Sequence, residues 1–109
     1  MSNPNDPVHR LVIYRPKAGH HDQLKAILLS HGPVLAKSGL LPEGRPVQLY
    51  VANDLRRQGE AEPYFVEDFY WRDGKASDLA HQLPEIMAVW ETMGPHLESM
   101  TLTTLESLV

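Results

Sequence analysis

Tyr64-Phe65-Val66-Glu67-Asp68-Phe69-Tyr70-Trp71 holds five of the eight aromatic residues in a chain of 109. Side chains alternate across an extended strand, so one face carries Phe65, Glu67, Phe69 and Trp71 and the other Tyr64, Val66, Asp68 and Tyr70. Both faces are apolar and each has a carboxylate in its middle. Such a strand cannot leave either side in water, so two different partners must cover it.

The rest of the chain is read outward from this strand. Residues 72–74 (Arg-Asp-Gly) are a turn signal. Beyond them Leu79, Leu83, Ile86, Trp90, Met93 and Leu97 form one apolar stripe, which predicts a helix over about residues 75–99. Pro84 opens a second segment of it, and Gly94-Pro95 distorts it. Residues 101–108 predict a last strand. Upstream, residues 8–15 predict a first strand stopped by Pro16, and residues 47–52 a second. Leu24, Ile27, Leu28, His31, Val34 and Leu35 recur at helical spacing between His20 and Ser38-Gly39, with a kink expected at Gly32-Pro33. Residues 1–7 form a polar tail ahead of a single domain over 8–109.

The resulting order, β-α-β-β-α-β, is that of a ferredoxin-like α+β fold, a four-stranded antiparallel sheet with two helices on one face. The opposite face carries Val66 and Tyr70. An apolar face of that size marks an interaction surface, and the simplest cover is a second copy of the same chain.

Composition excludes several functions. A net charge of −4 argues against nucleic acid as a partner, because phosphate binding needs a basic patch. The absence of cysteine removes disulfides, thiol nucleophiles and Cys-based metal sites. No apolar run is long enough to span a bilayer, so no membrane partner is expected and the expected location is cytoplasmic. His81 and Glu85 have ligand spacing on a helix, but Pro84 lies between them and no third ligand follows, so no metal is expected. No phosphate loop or nucleophile elbow is present.

The candidate site centres on Glu67. A carboxylate among rings suits general acid or base work, because desolvation disfavours its charged form. The competing reading is a salt bridge to a nearby Arg or His. His9 shares a face with Leu11 and Ile13, which suggests that this face meets the helices and that His9 approaches Glu67 across a pocket. His81, on the flank of the second helix, either closes one end of the pocket or is a partly exposed histidine bonded to a carbonyl. Phe69, Trp71, Trp90 and Met87 (with Met93) are either the apolar wall for a planar ligand or ordinary core. His31 is expected buried and satisfied by a backbone partner, and His20-His21 solvated at a helix start.

Residues 66–73 (VEDFYWRD), with Glu67 four positions before Trp71, resemble the strand of the antibiotic biosynthesis monooxygenase-like family. Residues 76–84 (ASDLAHQLP), with His81, resemble the helix entry that follows it, and residues 15–19 (RPKAG) fit the family's approach to its first helix. The resemblance implies a homodimeric α+β barrel built from two ferredoxin-like protomers, with a pocket between sheet and helices. It implies a small apolar or aromatic ligand, no cofactor, and oxidation of a phenolic compound, with Trp71 positioning the ring and Glu67, helped by His9 or His81, moving the proton. A non-catalytic binding or assembly module of the same fold is the alternative. A haem-degrading relative is a further one, set back by Val89 and Trp90 standing where such members place an iron-binding histidine, and by His96 lying too late to replace it.

Overall fold

The computed structural model describes residues 3–57, 59 and 61–109. Its element order is β1 (Val8–Pro16), α1 (His21–Lys37), β2 (Gln48–Ala52), β3 (Tyr64–Trp71), α2 (Ala76–Ala80), α3 (Pro84–Met93), a 3-10 turn (Gly94–His96) and β4 (Leu97–Thr104). The strands form one antiparallel sheet in the order β2-β3-β1-β4. The fold is ferredoxin-like, and its helices pack on a single sheet face.

The alternation of β3 sets that face. Phe65, Glu67, Phe69 and Trp71 are all buried, while Tyr64, Val66, Asp68 and Tyr70 are half-buried. Leu24, Leu28 and Leu35 of α1 and Ile86 and Met93 of α3 close the core over them, together with Val12 and Tyr14 of β1. Each such side chain contributes about 1.5–3 kcal/mol through burial. α1 is one helix despite Pro33, and it ends at Ser38, whose amide reaches the Val34 carbonyl. Gly39 follows at φ 78°, a left-handed conformation that reverses the chain at little steric cost to glycine.

Three expectations need correction. The face of β1 beneath the helices carries Val8, Arg10, Val12 and Tyr14, not His9, Leu11 and Ile13. The register decides this, because Val12 pairs with Glu67 and Tyr14 with Phe65, and directly paired residues share a face. The helical stretch expected over residues 75–99 does break at Pro84, but it ends earlier, with α3 stopping at Met93 and a 3-10 turn running to His96. Leu83 is extended (φ −99°, ψ 116°) and Pro84, which has no N–H to donate, starts α3. The last strand consequently begins at Leu97, at the end of the 3-10 turn, rather than at residue 101.

Ahead of β1, the amide of Gly74 donates to the Pro4 carbonyl at 3.0 Å. No described helix is long and apolar enough to cross a membrane.

Candidate functional site

Glu67 is fully buried, and both of its oxygens are occupied. The Tyr14 hydroxyl donates to Oε1 at 2.7 Å and His31 Nδ1 donates to Oε2 at 2.8 Å. Trp90 Nε1 donates in turn to His31 Nε2 at 2.9 Å. An indole N–H can only donate, so it fixes the His31 tautomer: Nε2 is the acceptor and Nδ1 carries the proton. Four side chains from β1, β3, α1 and α3 thus form a chain in which every polar atom is paired. Burial, followed by the negative charge and hydrogen bond of Glu67, pushes the Tyr14 hydroxyl far above the ordinary tyrosine range.

Next to this chain lies a cavity of about 490 Å³, between the helices and the β1–β4 side of the sheet. Tyr14, His31 and Trp90 line it, but Glu67 does not; it sits behind them. Of the ring residues singled out from the sequence, Phe69, Trp71 and Trp90 line the cavity. Phe69 and Trp71 meet edge to face with centroids 5.0 Å apart. Met87 is not among the lining residues, whereas Met93 is. α3 turns the Met93 side of its stripe inward, where that residue is buried.

His81 also lines the cavity. It caps the C-terminus of α2, where its Nδ1 donates to the Ser77 carbonyl at 2.8 Å, and its ring stands edge-on to Trp90 at 4.9 Å. A carbonyl oxygen only accepts, so Nδ1 carries a proton and, in the neutral form of this exposed ring, Nε2 has the lone pair. Nε2 has no hydrogen-bond partner among the described residues. At the start of α2, Asp73 accepts the Lys75 amide at 2.9 Å and the Arg72 guanidinium at 3.0 Å. The amide first, and the arginine second, hold its carboxyl below the usual carboxylate range. Ser77 completes this end of the wall.

His9 does not belong to this site. Its Nε2 lies 2.6 Å from Asp68 Oδ1 and its ring stacks on Tyr70 at 4.2 Å, on the opposite face of the sheet. His9 pairs with Tyr70 across the ladder, which fixes it there. His31, expected to find a backbone partner, instead joins the side-chain chain through residues 36 and 59 positions away in sequence. No periodic signal connects positions so far apart. His20 is only half-buried and lies 2.9 Å from His96 through their Nδ1 atoms, while His21 Nε2 is buried without a partner. His96 does not line the cavity. Among the described residues no group of three or more His, Asp or Glu is placed to hold a metal ion.

No family model matches the chain, and no curated protein matches it in sequence. Solved structures do match in shape. An antibiotic biosynthesis monooxygenase superposes with a TM-score of 0.70 at 14% identity, over 94% of this chain and 99% of that one. A cofactor-independent oxygenase from Streptomyces nogalater, SnoaB, in a mutant form, gives 0.67 at 10% identity, over 95% of each chain. A dimeric protein of unknown function and ferredoxin-like fold from Bacteroides fragilis gives 0.69 at 11%, over 93% and 96%. The chain therefore has the fold of the antibiotic biosynthesis monooxygenase-like proteins along nearly its whole length.

Proposed function

We propose that the chain is a homodimeric protein that binds a small, largely apolar aromatic molecule in the cavity and oxidises a phenolic compound with O₂ without a cofactor. The observation that carries this reading is His81: a histidine whose tautomer leaves Nε2 free, on the wall of a 490 Å³ cavity faced by Phe69, Trp71 and Trp90. A cavity of this size falls in the range of small-molecule sites, ~300–1,000 Å³. The rings match a planar ligand in shape and polarisability.

His81 Nε2 accepts the phenolic proton, which leaves an electron-rich phenolate. O₂ adds to a ring C–H carbon and takes back the proton held by His81, which gives a hydroperoxide. That carbon then loses its hydrogen as a proton while the O–O bond breaks, so that one oxygen remains as the second carbonyl of a quinone and the other leaves as water, the ring supplying the four electrons. A base is the minimum that the protein has to supply for this reaction. Glu67 is a positioning residue. It holds Tyr14 and His31, and through His31 it sets the Trp90 ring against which His81 stands.

The test is O₂ consumption with dihydroxynaphthalene substrates. His81→Ala lowers kcat about 100-fold or more, as loss of a general base does. His81→Gln lowers it likewise while leaving KM for the substrate nearly unchanged. Glu67→Gln changes KM more than kcat and leaves the pH profile in place. Turnover that is indifferent to His81 sinks the mechanism.

The second reading, a non-catalytic binding module, draws on the complete pairing of Tyr14, Glu67, His31 and Trp90, which is also what a purely structural network looks like. Native mass spectrometry of the gently purified protein, followed by the turnover assay, separates the two: a retained ligand without turnover selects the second.

A further inference from the structure

Among the described residues, the cavity is lined by a permanent cation and by no anion. Arg10 lines it, and none of the other lining residues is an Asp or Glu. Among the described residues no carboxylate lies within ion-pair distance of the Arg10 guanidinium, whose side chain has no hydrogen bond and no stacked ring either. The nearest buried carboxylate along the sheet is Glu67, diagonal to Arg10 in the register, and its oxygens already receive Tyr14 and His31. Arg10 is half-buried, on the face of β1 beneath the helices. A guanidinium held there loses hydration without gaining a partner among the described residues, an arrangement that favours a ligand bringing its own negative charge.

Polarity changes along the cavity. Arg10 pairs with Thr104 and lies near the end of β1 opposite Trp71, from which the chain runs directly into α2 with Ser77 and His81. At the other end Tyr14 pairs with Met100, and Leu97 and Met93 close the wall. Arg10 and Tyr14 are four steps apart along the strand, about 13 Å.

We infer that the natural ligand is an aromatic carboxylate, its acid group held by the Arg10 fork and its rings lying along Val12 and Leu102 toward Met93. This deepens the proposed function and rests on its reading of the cavity: the phenolic hydroxyl meets His81 and the carboxylate meets Arg10. The planar guanidinium presents paired N–H groups that match a carboxylate bidentately, which lysine cannot reproduce.

The test is calorimetric titration of the full chain with 2-naphthoate and with 2-naphthamide, a neutral molecule of the same shape. Wild type binds the naphthoate about tenfold or more tightly than the amide, the effect of one charge-assisted bidentate contact. Arg10→Gln erases that preference and leaves the amide affinity unchanged. Arg10→Lys retains part of the preference and shows steeper loss with added salt. Circular dichroism establishes that each variant is folded. Equal affinity for the two probes in wild type, or a preference for naphthoate that survives in Arg10→Gln, overturns the inference while the cavity reading stands. Binding of neither probe overturns the cavity reading and this inference together.

Discussion

Tyr14 stores a pH dependence in the core. Its hydroxyl is buried against the Glu67 carboxylate, so the folded state binds the phenolic proton more tightly than the unfolded state does. A group whose folded pKa lies above its unfolded value contributes stability that is fully present below the unfolded value and is lost as pH rises beyond it. For tyrosine that boundary lies near pH ~10. Urea unfolding at pH ~9 and ~11 should therefore show wild type losing about 1 kcal/mol more than Tyr14→Phe, since each unit of pH past the boundary is worth about 1.4 kcal/mol. Equal losses would place the alkaline sensitivity elsewhere. Glu67 gives a second result at this scale. Glu67→Gln can point its carbonyl at His31 Nδ1 and its amide at the Tyr14 oxygen, because a hydroxyl accepts as well as donates. Glu67→Leu leaves the Tyr14 O–H and His31 N–H unpaired in the core. The expected costs are about 1 kcal/mol for Gln and about 3 kcal/mol or more for Leu, read from denaturant midpoints. Part of this site was legible in the sequence. The alternation of β3 placed Glu67, Phe69 and Trp71 together because that strand is aromatic at nearly every second position. The parity of β1 was not legible. Val8, Val12 and Tyr14 on one face and Leu11 and Ile13 on the other are equally apolar, and Arg10 made the true core face look like the polar one. Only pairing with β3 resolves it.

The helices succeed or fail at their ends. One apolar stripe runs from Leu79 through α3 to Leu97; Pro84 marks its break in the sequence, but periodicity does not show what the break does. Splitting at Leu83-Pro84 makes His81 a C-terminal cap with a free ring edge rather than a residue on a continuous helix flank. Gly94 and Gly32 separate helix propensity from packing. Gly94 has right-handed helical dihedrals, and a Cβ added there meets nothing within 4 Å. Gly94→Ala is expected to raise stability by about 0.4–1 kcal/mol, chiefly by restricting the unfolded chain. Gly32 lies within α1, where alanine is favoured by about 1 kcal/mol on propensity alone. A Cβ at Gly32, however, stands 3.2 Å from Val47 Cβ, an atom tied to the backbone and unable to swing aside. Gly32→Ala should lower the unfolding midpoint despite its better propensity. A rise equal to that of Gly94→Ala would show that the approach of α1 to Val47 is slack.

The molecule as a whole is two layers thick. Its shortest dimension is 21 Å, and its radius of gyration is 14.7 Å, above the ~13 Å of a compact domain of this length. The helices cover one side of the sheet except along β4, where Met100 and Leu102 stay exposed, and nothing among the described residues covers the other. That side presents Leu11, Ile13, Tyr50, Val66 and Tyr70, with Tyr50 52% exposed. The His9–Asp68 pair lies among them, 2.6 Å apart, and gives that carboxylate a hydrogen-bond partner on an otherwise apolar face. Two-fold pairing of these faces would place Val66 near the middle of the contact, since it has Tyr50 and Ile13 as its cross-strand neighbours. Val66→Asp adds a second carboxylate two positions from Asp68 on the same face and, in the proposed homodimer, should shift dimer to monomer in sedimentation velocity at micromolar concentration. Ile13→Asp should do the same from the adjacent strand. Because the cavity lies on the other side of the sheet, both monomeric variants should still bind 2-naphthoate, with affinity within a few-fold of wild type. Loss of binding together with the dimer would mean that the partner copy shapes the cavity. A wild-type chain that sediments as a monomer would leave the apolar sheet face without the cover assigned to it.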